Sequence, residues 1–128
     1  MAERNLVMII DDNDFDRYVS KGLLKSSNFS KEILEFDSAK LAYNYLEVNQ
    51  DNLEKIPEVI FLDIYMPLMN GFEFINLFES LSPNVLNNCK ICVLSTTVKD
   101  EHFFKAKSFE KNIMFTNKPI TLAFLNTI

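Results

Sequence analysis

The run Val59-Ile60-Phe61-Leu62 leads without interruption into Asp63, and Pro67 and the pair Asn70-Gly71 follow shortly after. An unbroken apolar stretch between turn signals suits a strand buried on both faces of a parallel sheet. A carboxylate at the carboxyl end of such a strand stands where open α/β sheets receive their ligands. The other segments are expected to surround that carboxylate.

Leu6-Val7-Met8-Ile9-Ile10 is a second run of the same kind, and it ends in Asp11-Asp12-Asn13-Asp14. Patterning predicts strands over 6–10, 32–36, 58–63, 90–95 and 113–116, the second of them half-buried and at an edge. Helices are expected between them. The first covers 14–24, with Phe15, Tyr18, Val19 and Leu23 at helical spacing and Asn13 or Asp14 as its cap. The second is capped by Ser38 and carries Leu41, Ala42, Tyr45, Leu46 and Val48, ahead of a polar loop over 49–57. The third opens at Gly71 with Phe72, Phe74, Ile75, Phe78 and Leu81, and Ser82-Pro83-Asn84 breaks it. The fourth covers 99–109 with Phe103 and Ala106 inward, and a short last helix lies within 121–128. Strand and helix alternate five times. That pattern implies an α/β fold: a flavodoxin-like, three-layer, doubly wound parallel sheet of five strands in the order 2-1-3-4-5. The order reverses between the first and third strands, so Asp11, Asp12 and Asp63 are expected at one crevice.

Glycine occurs only at Gly22 and Gly71, whereas asparagine is abundant. Asparagine is the next-best residue for left-handed backbone positions and is expected to take over work that glycine does elsewhere. The net charge of -5 and pI of about 4.8 argue against nucleic acid or an anionic membrane as the main partner. No apolar run approaches the roughly 18–20 residues of a membrane span. The first residues show no signal-peptide architecture, and the expected location is cytoplasmic. The 128 residues are expected to form one domain, 1–128, with no output domain attached. Cys89-Lys90-Ile91-Cys92 has a C-x-x-C spacing, but Cys92 falls in a predicted strand, where positions three apart face opposite ways. A redox or zinc role is therefore set aside.

Three carboxylates in one small pocket repel one another, and a divalent cation offsets that repulsion. Oxygen-only ligands with room for water suit Mg²⁺. A magnesium site beside a carboxylate points to phosphoryl transfer, with an aspartate itself able to act as the nucleophile. Ser95 at the end of the fourth strand and Lys118 at the end of the fifth carry groups suited to phosphoryl oxygens. Taken singly, each of these residues has an ordinary reading as a helix cap, a strand end or a surface charge. Their joint placement at successive strand ends is what carries weight.

At these residues the chain resembles the receiver domain of bacterial two-component response regulators. The matching pieces are Ile10-Asp11-Asp12-Asn13-Asp14, Phe61-Leu62-Asp63-Ile64-Tyr65-Met66-Pro67-Leu68-Met69-Asn70-Gly71, Val93-Leu94-Ser95-Thr96 and Phe115-Thr116-Asn117-Lys118-Pro119. They occur in order and span essentially the whole chain. The resemblance implies that Asp63 accepts a phosphoryl group from a phosphohistidine of a sensor histidine kinase or a histidine phosphotransfer protein. It implies that Asp11, Asp12, Asp63 and the backbone carbonyl of Tyr65 hold Mg²⁺, and that Ser95 and Lys118 contact phosphoryl oxygens. Ser95 and Phe115 match the switch pair, whose movement alters the face of the fourth helix, fifth strand and fifth helix, read by a downstream protein. The expected assembly is a monomer or weak homodimer.

This chain departs from the family in carrying bulky Tyr65 two residues past Asp63, Phe at the switch position, and Lys111-Asn112 where a glycine is usual. Two other readings stand beside this one. Asp12-Asn13-Asp14 has the D-x-D spacing of haloacid-dehalogenase-like phosphohydrolases, which would make Asp12 the nucleophile. A degenerate receiver would bind partners without being phosphorylated. An FMN-binding flavodoxin is disfavoured, because the acids after the first strand would repel the cofactor's phosphate.

Overall fold

The structure is a computed structural model that describes residues 3–95 and 113–128. Its strands are β1 (Arg4–Ile10), β2 (Ser30–Phe36), β3 (Val59–Asp63), β4 (Lys90–Ser95) and β5 (Ile113–Asn117). Its helices are α1 (Asp14–Ser26), α2 (Ala39–Asn49), α3 (Gly71–Phe78), α4 (Pro83–Asn88) and α5 (Leu122–Leu125). All pairings are parallel and the order is β2-β1-β3-β4-β5, as the alternation predicts. The expected helix over 99–109, with Phe103 and Ala106 inward, lies outside the described residues.

Period-two alternation along the three central strands feeds two separate cores. Met8, Ile10, Ile60, Leu62, Ile91 and Val93 face α2 and α3, where Ala42, Leu46, Phe74 and Ile75 pack on them. Val7, Ile9, Val59, Phe61, Cys92 and Leu94 face the other way, onto Leu24 of α1, Leu125 of α5 and Phe29. Helices therefore cover both faces of the sheet, which is why β3 tolerates no polar residue until Asp63. The two cysteines fall into opposite cores, as a strand places residues three apart. Burial pushes the Cys92 thiol up to about 12 and that of Cys89 higher still, so both are inert packing groups.

Four details differ from the sequence reading. Phe15, Tyr18 and Val19 do not face the core: they are 71%, 76% and 37% exposed, while Ser20 and Leu24 are buried. The helix is rotated because its inner side carries Arg17, whose guanidinium donates to the Asp11 carbonyl at 2.7 Å, and Ser20, small enough for close approach to the sheet. On α2, Leu41 and Val48 are likewise exposed, and Ala39, Ala42 and Leu46 form the inner stripe. The break at Ser82-Pro83 is followed by a helix of its own, α4, with Pro83 at its start and Val85 buried. Among left-handed residues, Asn28 (φ 54°) matches the expected use of asparagine, but the second is Leu68 (φ 70°).

Gly71 is where the fold is least forgiving near the carboxyl edge of β3. Its N–H donates to the Ile64 carbonyl at 2.8 Å. A Cβ there would stand 2.9 Å from Ile64 Cα and 3.0 Å from the Asp63 carbonyl oxygen, both backbone atoms. Gly71→Ala is expected to destabilise the protein by about 1–3 kcal/mol through this clash. The check is a urea titration, in which the midpoint falls while the slope is unchanged.

Candidate functional site

The carboxyl edge of the sheet gathers residues from four strand ends. β1 delivers Asp11 and Asp12, β3 ends on Asp63, β4 ends on Ser95, and Lys118 follows β5. Asp63 pairs in register with Leu94, so Ser95 stands one residue beyond it on the neighbouring strand. The Lys118 N–H donates to the Ser95 carbonyl at 3.0 Å, which fixes where the lysine leaves the sheet. Carboxylate oxygens of Asp11, Asp12 and Asp63 all lie within 4.8 Å of one another, with Asp11 and Asp63 buried and Asp12 exposed. The three acids expected at the strand-order reversal do meet there.

Each acid is placed by local structure. Asp11 Oδ1 accepts the Asn13 N–H at 2.9 Å, closing a turn over the end of β1. Asn13 then caps α1 by accepting the Asp16 N–H at 2.8 Å. Asp14 is a first-turn acid paired with Arg17, in keeping with its expected helix-start role. Past Asp63, the chain rises through Tyr65, 61% exposed, and Leu68, wholly exposed, before the Asn70–Glu73 capping box starts α3. Phe115 is half-buried on β5, packed against the core shared with α2 and α3.

Lys118 is the central cation. Its Nζ lies 2.9 Å from Asp11 Oδ2, 3.0 Å from Asp16 Oδ2 and 3.2 Å from Asp63 Oδ1. Burial alone would lower its pKa, but hydrogen bonds to Asp11 and Asp16 and the charge of Asp63 raise it, so it is a fixed positive charge. Asp16 is the site residue that the sequence reading missed. No local signal marked it: as the third residue of α1 it reads as an ordinary first-turn acid, and its partner Lys118 lies far away in the chain.

Asp63 has its pKa raised to about 6, chiefly by burial. Lys118 opposes that shift, and the charges of Asp11 and Asp12 add to it. The pocket thus holds more negative charge than its single ammonium offsets. Three oxygen donors so close together, two of them buried, fit a hard divalent cation such as Mg²⁺.

A doubly wound parallel sheet with an acid triad and a lysine at its carboxyl edge defines a receiver-type domain. A profile of the response regulator receiver domain matches residues 7–127, and the chain belongs to that family. The family's role is that of phosphoacceptor module in two-component signalling, working with histidine kinases and phosphotransfer proteins.

Among solved structures, a two-component response regulator from Cytophaga hutchinsonii is 27% identical, with a TM-score of 0.86 over 98% of this chain and 94% of that one. A response regulator receiver protein from Dyadobacter fermentans DSM 18053 is 28% identical, with a TM-score of 0.79 over 95% of this chain and 92% of that one. Two-component response regulator ORR1 of Oryza sativa subsp. japonica is 34% identical over 79 residues, which is 60% of this chain and 34% of the rice protein. The chain spans about a third of the length of the curated relatives it matches. Among the described residues, no helix is long and apolar enough to cross a membrane.

The raised Asp63 pKa has a stability consequence in metal-free protein. The folded state holds the Asp63 proton up to about pH 6, whereas the unfolded chain releases it near the ordinary carboxylate value. Between those values the native state binds more protons, so the Asp63 contribution to stability falls as pH rises. Metal-free Asp63→Asn is expected to be more stable than the parent above pH 6, with the gap closing as pH falls toward 4. Thermal melts across that range check it.

Proposed function

We propose that Asp63 is the phosphoacceptor of this domain and that Asp11, Asp12, Asp63 and the Tyr65 backbone carbonyl hold Mg²⁺ during transfer. The observation that carries this reading is the contact of Lys118 with Asp63 at 3.2 Å beside the carboxylates of Asp11 and Asp12. When bound, the cation supplies charge neutralisation for the pocket and for phosphoryl oxygens.

The chain's own residues do the rest. An Asp63 carboxylate oxygen attacks phosphorus of a phosphohistidine, the N–P bond breaks, and the imidazole leaves with the electron pair and takes up a proton. Lys118 stands ready to donate to an oxygen of the transferred group and holds its charge at the acceptor. Ser95, buried at the end of β4, donates its hydroxyl to another oxygen, and Phe115 on β5 follows that movement. The changed face comprises β5 and α5, and a downstream protein reads it. The domain has at most a slow self-dephosphorylation, in which water reaches the acyl phosphate past exposed Tyr65.

Two measurements test this. Incubation with acetyl phosphate and Mg²⁺, followed by borohydride trapping and peptide mass analysis, is expected to mark Asp63, and Asp63→Asn is expected to abolish the mark. Label on Asp12 instead would favour phosphohydrolase chemistry and overturn the assignment. Tyr65→Asn, by opening the water path, is expected to shorten the lifetime of the phosphorylated form several-fold. An unchanged lifetime would remove Tyr65 from the account.

A further inference from the structure

Lys118 has three N–H donors on its ammonium. Two make charge-assisted hydrogen bonds, to Asp11 Oδ2 at 2.9 Å and to Asp16 Oδ2 at 3.0 Å, and Asp63 is the third neighbour at 3.2 Å. The two hydrogen-bonded acids are not equivalent. The Asp11 side chain is 1% exposed and is held by the Asn13 N–H, so it cannot leave. The Asp16 side chain is 39% exposed, on the first turn of α1, beside an open cavity of about 280 Å³ that Phe15, Val19, Lys118 and Ile120 also line. An ion pair of that exposure is worth little, whereas the Asp11 pair anchors the ammonium by itself.

We infer that Asp16 is a positioning residue that holds Lys118 in a resting state and yields it when a phosphoryl group arrives on Asp63. An arriving phosphoryl group brings several acceptor oxygens to an ammonium whose neighbours are already three carboxylates. Asp11 is locked and Asp63 is the modified residue, so the donor that can be released is the one on Asp16. The Asp16 carboxylate also repels a dianionic phosphodonor and attracts a divalent cation. Its removal therefore acts with opposite signs on the two ligands. General damage to the site would weaken both.

The inference rests on Asp63 as the phosphoacceptor, and the experiment separates the two. Mg²⁺ alone is titrated calorimetrically into the parent protein, Asp16→Asn and Asp16→Glu, and beryllofluoride is then titrated at saturating Mg²⁺. For Asp16→Asn, Mg²⁺ is expected to bind about twofold to threefold more weakly and beryllofluoride about threefold to fivefold more tightly, the size of one partly exposed charge pair. Asp16→Glu restores the charge and is expected to return both affinities toward those of the parent. Beryllofluoride binding to Asp16→Asn that is unchanged or weaker than in the parent overturns the inference while leaving the acceptor assignment intact. A parent protein that binds Mg²⁺ but takes up no acyl phosphate or beryllofluoride at Asp63 overturns both.

Discussion

Four carboxylates, those of Asp11, Asp12, Asp16 and Asp63, come to one end of the sheet, and Lys118 is the cation that three of them share. Without that ammonium, two buried acids would face each other in a poorly hydrated pocket, where like charges interact strongly. The sheet order makes this crowding unavoidable: strands β1 and β3 are neighbours and both end in aspartate. The lysine arrives from β5, two strands away, and is steered by the Ser95 carbonyl. Local charge, strand order and the reach of one long side chain thus solve a single problem together.

The structure remains tense even so. Burial leaves Asp63 with a pKa of about 6 despite the neighbouring lysine. A group held this way is poised for a ligand that adds positive charge or for a modification that changes its own. Leu68, wholly exposed and left-handed in the loop just past Asp63, adds backbone strain of about 1–2 kcal/mol close to the same place. Such strain gathers where a site, rather than the core, sets the backbone.

Most of the fold was legible in the sequence because the central strands are buried on both sides, which leaves an unmistakable apolar run ending in a polar residue. Asp11, Asp12, Asp63, Ser95 and Lys118 were legible for the same reason, since strand ends fix their addresses. The faces of α1 and α2 were not. Phe15, Tyr18 and Val19 have helical spacing, yet the inner side of α1 is chosen by Arg17 folding onto the Asp11 carbonyl and by the small Ser20. A hydrophobic pattern marks a stripe but does not say which stripe a sheet will accept when polar anchors compete. Asp16 was hidden because its role depends on a partner 102 positions away, and nothing local distinguishes it from an ordinary first-turn acid. Leu68 was hidden because no propensity argument places leucine in the left-handed region.

Arg17 and Lys21 both reach Glu35 on β2, at 3.8 and 2.7 Å. That strand is the outermost of the sheet on its side, and its open flank is studded with Lys31, Glu32 and Glu35. Any foreign strand laid against it would have to strip water from those charges. The molecule therefore ends there in a fringe hostile to cross-β stacking, so that a rim of bare amides does not become a seed for fibrils.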